Sequence, residues 1–155
     1  FFGNGASAAF SNHMALDWSK NGGILALSLS DSAMLTALAN DYNFEGCFLE
    51  FLKINQPNSD DLVITTSSSG NSKNVVNVLE YCKANNITSF GLSGLNESNQ
   101  TEKLSDFSLF VPMKTYGIVE CIHQVFHHVY LDNFMNIEEW NKTESQNMNA
   151  NNFKL

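Results

Sequence analysis

Short apolar runs alternate with stretches of helical periodicity along most of this chain. Phe1-Phe2 reads as the end of a strand, and Ser7 to about Lys20 as a helix. "GILALSL" (Gly23–Leu29) is apolar without a break, the pattern of a strand buried on both faces of a parallel sheet. Two helical stretches follow, Ala33–Ala39 and Phe44–Ile54, split by the polar "NDYN". "DLVITTS" (Asp61–Ser67) is a third strand. Ser72–Asn85 is a helix with Val75, Val78, Leu79 and Cys82 at helical spacing. "ITSFGLSG" (Ile87–Gly94) and "FSLFVPM" (Phe107–Met113) are the last strands, and Ile118 to about Asp132 is the final helix.

This order predicts an α/β fold, a five-stranded parallel, doubly wound sheet in three layers with right-handed crossovers. Ligands of such sheets bind outside the carboxyl ends of the strands, so chemistry is expected in the loops that follow them. The predicted domain spans residues 1–134. Residues 135–155 are polar and Asn-rich, lack apolar periodicity and are expected to fray. Since Phe1-Phe2 reads as the close of a strand, most of that strand and any helices before it are expected to be missing.

Composition narrows the function classes. The chain has 155 residues, enough for one domain with a real core, and 43% of them are hydrophobic. A net charge of -8, with eight Lys and Arg and no basic run, argues against nucleic-acid binding, which needs cations to neutralise phosphates. No apolar run approaches the length needed to span a bilayer, and no signal-peptide pattern is present, so no membrane partner is expected. Cys47, Cys82 and Cys121 are odd in number and scattered, which gives no disulfide framework and points to a reducing, cytoplasmic setting.

Three strands run into small, hydroxyl- or glycine-rich loops: "GNGAS" (Gly3–Ser7), "SDS" (Ser30–Ser32) and "SSSGNS" (Ser67–Ser72). The third directly precedes a helix, where serine hydroxyls and free N–H groups suit an anion. The plain alternative is a Ser-rich helix cap. No Lys of the phosphate-loop kind follows, so neutral donors would do the binding, as suits a sugar monophosphate better than a nucleoside triphosphate with magnesium. Gly3, Gly5 and Ala8 also fit a dinucleotide fingerprint. That reading ranks second, because its acidic residue, Asp31, lies too far on and "SSSGNS" is left without a role.

All four histidines fall in the first and last predicted helices. His13 and Asp17 are four residues apart and share a face. Glu120, His123, Gln124, His127 and His128 crowd the last helix. Imidazole and carboxylate ligands on two helices suit a divalent transition metal, zinc first. Helical geometry leaves His127 and His128 open as partners of Glu120.

"GNGASAAFSNHMALD", "SDSAMLTALANDYNFE", "SSSGNSKNV" and "IVECIHQVFHHV", in that order and spacing, resemble the sugar isomerase (SIS) domain family, and within it the phosphoheptose isomerases. The resemblance covers Phe2 to about Asp132. It implies a flavodoxin-like five-stranded sheet and the interconversion of sedoheptulose 7-phosphate and D-glycero-D-manno-heptose 7-phosphate. It implies substrate contacts at Asn4, Gly5, Ala6, Ser7, Ser30 and Asp31, and a phosphate loop of Ser67, Ser68, Ser69 and Ser72. It places the metal positions on His13, Asp17, Glu120 and His128, selecting His128, with one zinc per subunit of a homotetramer. Catalysis then falls to Asp17 as base and His128 as its acid/base partner, with Glu120 as the other candidate base and a substrate contact.

The family usually has Glu at the position of Asp17 and Gln at that of Glu120, and "MKTYGIV" (Met113–Val119) replaces its acidic, Arg-containing approach to the last helix. The rival within the same fold is a non-catalytic phosphosugar-binding module that associates with a replication initiator. Loss of the late histidine would mark it, and His128 is present.

Overall fold

A computed structural model describes residues 1–137. Four parallel strands lie in the order β1-β2-β3-β4: β1 (Phe2–Gly3), β2 (Leu62–Ser67), β3 (Thr88–Gly94) and β4 (Phe107–Val111). Among the described residues five helices accompany them: α1 (Ala6–Lys20), α2 (Ser32–Ile54), α3 (Lys73–Ala84), α4 (Gln100–Leu104) and α5 (Tyr116–Phe134). The α/β class and the parallel sheet are as expected. The short α4 has no counterpart in the sequence reading, and the predicted tail lies almost wholly outside the described residues.

The two faces of the sheet are covered separately, because side chains alternate along each strand. On one face Val63 packs with Phe48, Phe51 and Leu52 of α2 and Val75, Val78, Leu79 and Cys82 of α3. On the other, α1 lies against α5, with Met14, Trp18 and Leu131 in contact. The "NDYN" break is a kink inside α2: Asn43 sits at φ 60°, and its Oδ1 accepts from the Gly46 N–H at 2.9 Å, restarting the helix.

The expected strand Gly23–Leu29 does not form, so among the described residues the sheet has four strands instead of five. The segment meets the open edge of β1, but β1 is two residues long and one backbone bond results, Phe1 N to Leu27 O at 2.8 Å. A ladder needs successive rungs on a neighbour. Ala26 satisfies its backbone elsewhere, its N–H donating to the Ser19 hydroxyl at 2.9 Å. Leu25, read as buried, is 83% exposed.

Because every strand is parallel, the carboxyl ends gather Asn4-Gly5, the serine loop, Leu95–Asn99 and Pro112–Thr115 at one end of the sheet, where α1, α3, α4 and α5 begin. Among the described residues no helix is long and apolar enough to cross a membrane.

Candidate active site

The serine loop is shaped from below. Gly70 has φ +65°, a conformation other residues adopt at a cost, and a Cβ there would run into the Asn99 side chain. Asn99 is buried and spans three elements. Its Nδ2 donates to Ser93 Oγ (3.1 Å) and to the Asn96 carbonyl (3.0 Å), while Oδ1 accepts from Glu102 N at 3.0 Å. The Gly70 carbonyl accepts from Thr101 N at 2.9 Å. Within the loop, Ser67 Oγ donates to Ser72 Oγ at 3.2 Å, and Ser72 occupies the N-cap of α3 without a side-chain capping bond. Ser68 Oγ is buried and has no partner among the described residues. A buried hydroxyl left unpaired in the loop that leads into a helix is a donor without an acceptor.

The opening loop is tied to the same place. Asn4 and Asn74, the latter in the first turn of α3, exchange two side-chain hydrogen bonds of 2.9 Å. Gly5, at φ 56°, caps α1, and Ser7 is buried beneath it while Ala6 is exposed. Ser30 and Asp31 are exposed at the entry to α2, where Asp31 Oδ1 accepts from Met34 N at 2.7 Å. Its other carboxylate oxygen makes no hydrogen bond among the described residues.

Further along α1 and α5 the ionisable residues meet. His13 Nε2 lies 3.2 Å from Asp17 Oδ2. The His128 ring comes across from α5 to 5.3 Å from the His13 ring. One ligand atom from each of His13, Asp17 and His128 lies within 4.8 Å of the others. Two imidazole nitrogens and a carboxylate oxygen at that spacing fit a zinc-type ion and leave a coordination position open, as catalytic sites require. Glu120 stands two turns before His128, about 12 Å along the helix axis, and is not among the three. The cluster itself lies about 12 Å along α1 from the loops, since eight residues separate Gly5 from His13.

The other two histidines are buried in the sheet-facing stripe of α5, Val119, His123, His127 and Leu131. His127 Nε2 is 3.0 Å from Thr66 Oγ1. Burial lowers its pKa to about 4, helped by the neighbouring His123 and His128. His123 Nε2 donates to the Ser93 carbonyl at 3.0 Å, which fixes the tautomer and leaves Nδ1 unpaired among the described residues. Burial pushes its pKa down as well. Both imidazoles are therefore neutral near pH 7.

The residues singled out from sequence thus fall into a loop group (Asn4–Ser7, Ser67–Ser72), an exposed pair (Ser30, Asp31) and a cluster (His13, Asp17, His128). Sequence reasoning missed Asn74, Asn99, Thr66 and the buried role of His127. A signal existed for two of them: Asn74 and His127 are polar residues on otherwise apolar helical stripes.

No family model matches the chain. It is 35% identical over 133 residues to phosphoheptose isomerase 2 of Campylobacter jejuni, covering 82% of this chain and 65% of that one. It is 34% identical over 136 residues to the phosphoheptose isomerase of Helicobacter pylori strain P12, covering 84% of this chain and 70% of the relative. Relatives such as these are thus spanned for about two thirds of their length. A solved phosphoheptose isomerase from Neisseria gonorrhoeae superposes with a TM-score of 0.79 at 27% identity, covering 88% of this chain and 74% of that chain. One from Francisella tularensis, at 22% identity and a TM-score of 0.75, shares the fold.

Proposed function

This chain belongs to the phosphoheptose isomerase family, and from that premise we propose that it interconverts sedoheptulose 7-phosphate and D-glycero-D-manno-heptose 7-phosphate. The observation that carries the reading is the meeting of His13, Asp17 and His128 about two turns along α1 from the end of the sheet that bears a loop whose buried Ser68 hydroxyl lacks a partner among the described residues. An anion loop at the carboxyl end of the sheet and a proton-transfer cluster about 12 Å along α1 from that end suit an elongated sugar phosphate. Ser67, Ser68, Ser69 and Ser72 hold the phosphate with the N–H groups that open α3. Asn4, Gly5, Ala6 and Ser7 form the adjoining wall, and Ser30 and Asp31 hydrogen-bond the sugar hydroxyls. Anchoring the phosphate orients the reacting carbons.

At those carbons Asp17 removes a proton and returns it to the neighbouring carbon, passing through an enediol, while His128 moves the proton between the two oxygens. Glu120 is the alternative base. His13, Asp17 and His128 would hold one zinc per subunit; Glu120, about 12 Å along the α5 axis from His128, stands apart from them. Zinc, when bound, acts as a Lewis acid on the carbonyl oxygen. The same reading includes a domain over residues 1–134, a cytoplasmic setting and a homotetramer. The apolar stripe Ile118, Ile122, Val125 and Val129, exposed on α5, supports a face covered by another subunit.

The test is turnover of sedoheptulose 7-phosphate and a small panel of ketose phosphates, after EDTA and after zinc is restored. Turnover lost with chelation, restored by zinc and reduced at least 100-fold by Asp17→Asn is the expected result. Tight sugar-phosphate binding without turnover would move the chain to the non-catalytic binding class.

A further inference from the structure

His127 is a polar side chain on the buried stripe of α5. It is 1% exposed, among Val119 and Leu131 on the same stripe, with the Phe1 ring centroid 6.0 Å away. Its one hydrogen-bond partner among the described residues, Thr66, is also 1% exposed. Burying a polar pair in place of two apolar groups gains little stability, since desolvation offsets the bond. What the pair adds is direction. Apolar contact is non-directional and tolerates rotation of a helix about its axis. A 3.0 Å bond from His127 to β2, and another from His123 to β3 one turn earlier, do not.

The consequence falls on the next residue. His128 lies 100° further round α5, toward α1, with its ring beside His13. At the outer radius of a helix, a rotation of about 20° moves a side-chain tip by roughly 2 Å. Metal-ligand distances tolerate about 0.2 Å. Thr66, for its part, pairs with Gly3 in the sheet and immediately precedes the serine loop.

We propose that Thr66 and His127 are a positioning pair that sets the rotation of α5, holds His128 against His13 and Asp17, and ties that cluster to the strand launching the serine loop. Its role in catalysis rests on the isomerase reading; the positioning itself does not.

Two readouts on the full chain decide it. The first is the imidazole NMR spectrum of the metal-free protein, with His128 assigned. The second is CoCl2 titration followed by the visible absorption of the bound ion. Thr66→Val and His127→Leu should each shift the His128 resonances and weaken Co²⁺ binding about tenfold, the lower end of the loss seen when a group that orients a metal ligand is removed. Thr66→Ser, which keeps the hydroxyl, and His127→Gln, which keeps a polar partner for it, should restore both. The two routes, one on each element, guard against a single variant that fails to fold. If Thr66→Val or His127→Leu folds, leaves the His128 resonances in place and binds Co²⁺ within twofold of the parent, the pair has no positioning role. If the parent chain binds no Co²⁺, the metal reading of the cluster fails, and the metal-free spectra still decide the positioning.

Discussion

Gly70→Ala tests whether the serine loop is held from beneath by Asn99. The substitution does two things. It places an alanine at φ +65°, which costs about 1–2 kcal/mol. It also sets a Cβ against the Asn99 side chain, which must leave. Asn99 then gives up its bonds to Ser93 Oγ, the Asn96 carbonyl and Glu102 N. At about 1 kcal/mol each, those bonds add about 3 kcal/mol. The expected loss is therefore about 4–5 kcal/mol by urea denaturation. Asn99→Ala does not relieve the clash, because the Asn99 Cβ itself lies 2.7 Å from the added carbon. Asn99→Gly does, and glycine is tolerated at the N-cap. In the Asn99→Gly background the cost of Gly70→Ala should fall to the backbone cost alone, about 1–2 kcal/mol. The coupling in this double-mutant cycle should be about 3 kcal/mol. Equal costs in both backgrounds, within about 0.5 kcal/mol, would show that Asn99 does not brace the loop.

Ser68→Ala removes a buried hydroxyl that no described protein group uses, so stability should change by less than about 0.5 kcal/mol. KM for the sugar phosphate should nonetheless rise roughly 10- to 100-fold, the loss of one hydrogen bond to a charged group; an unchanged KM would make the loop a simple helix cap. Acid should destabilise the metal-free chain through His127, whose neutral form the fold favours. Its contribution is complete above the ordinary value of 6.5 and is lost as pH falls from there through about 4, to a limit of about 3 kcal/mol. Denaturation in EDTA across that range should show the drop in the parent and a shallower one in Thr66→Val/His127→Leu; parallel curves would count against the buried imidazole as its source.

How far the fold could be read from the sequence depended on what each pattern required of its surroundings. "DLVITTS" and "ITSFGLSG" are strands because their hydrophobic pattern and their partners agree: each lies beside another strand along its length. "GILALSL" has the same pattern, but its neighbour β1 offers two residues, so strand character had nothing to pair with. A strand is a property of two segments, and a one-dimensional pattern reports only one. The site divides in the same way. Local features were legible: His13 and Asp17 share a face by spacing alone, and the serine loop precedes a helix. The choice between His127 and His128 was not, because neighbouring residues on a helix differ by 100° and the deciding contacts lie on other elements. His128 meets α1 and His127 meets β2. The remaining misses share one cause. The spacing within one helix does not say which polar residues the interior uses for direction, and Asn74, His123 and His127 all sit on buried faces bonded to a neighbouring segment. A polar residue in phase with an apolar stripe is therefore the sequence signal to pursue, because burying one costs free energy that a partner on another element offsets.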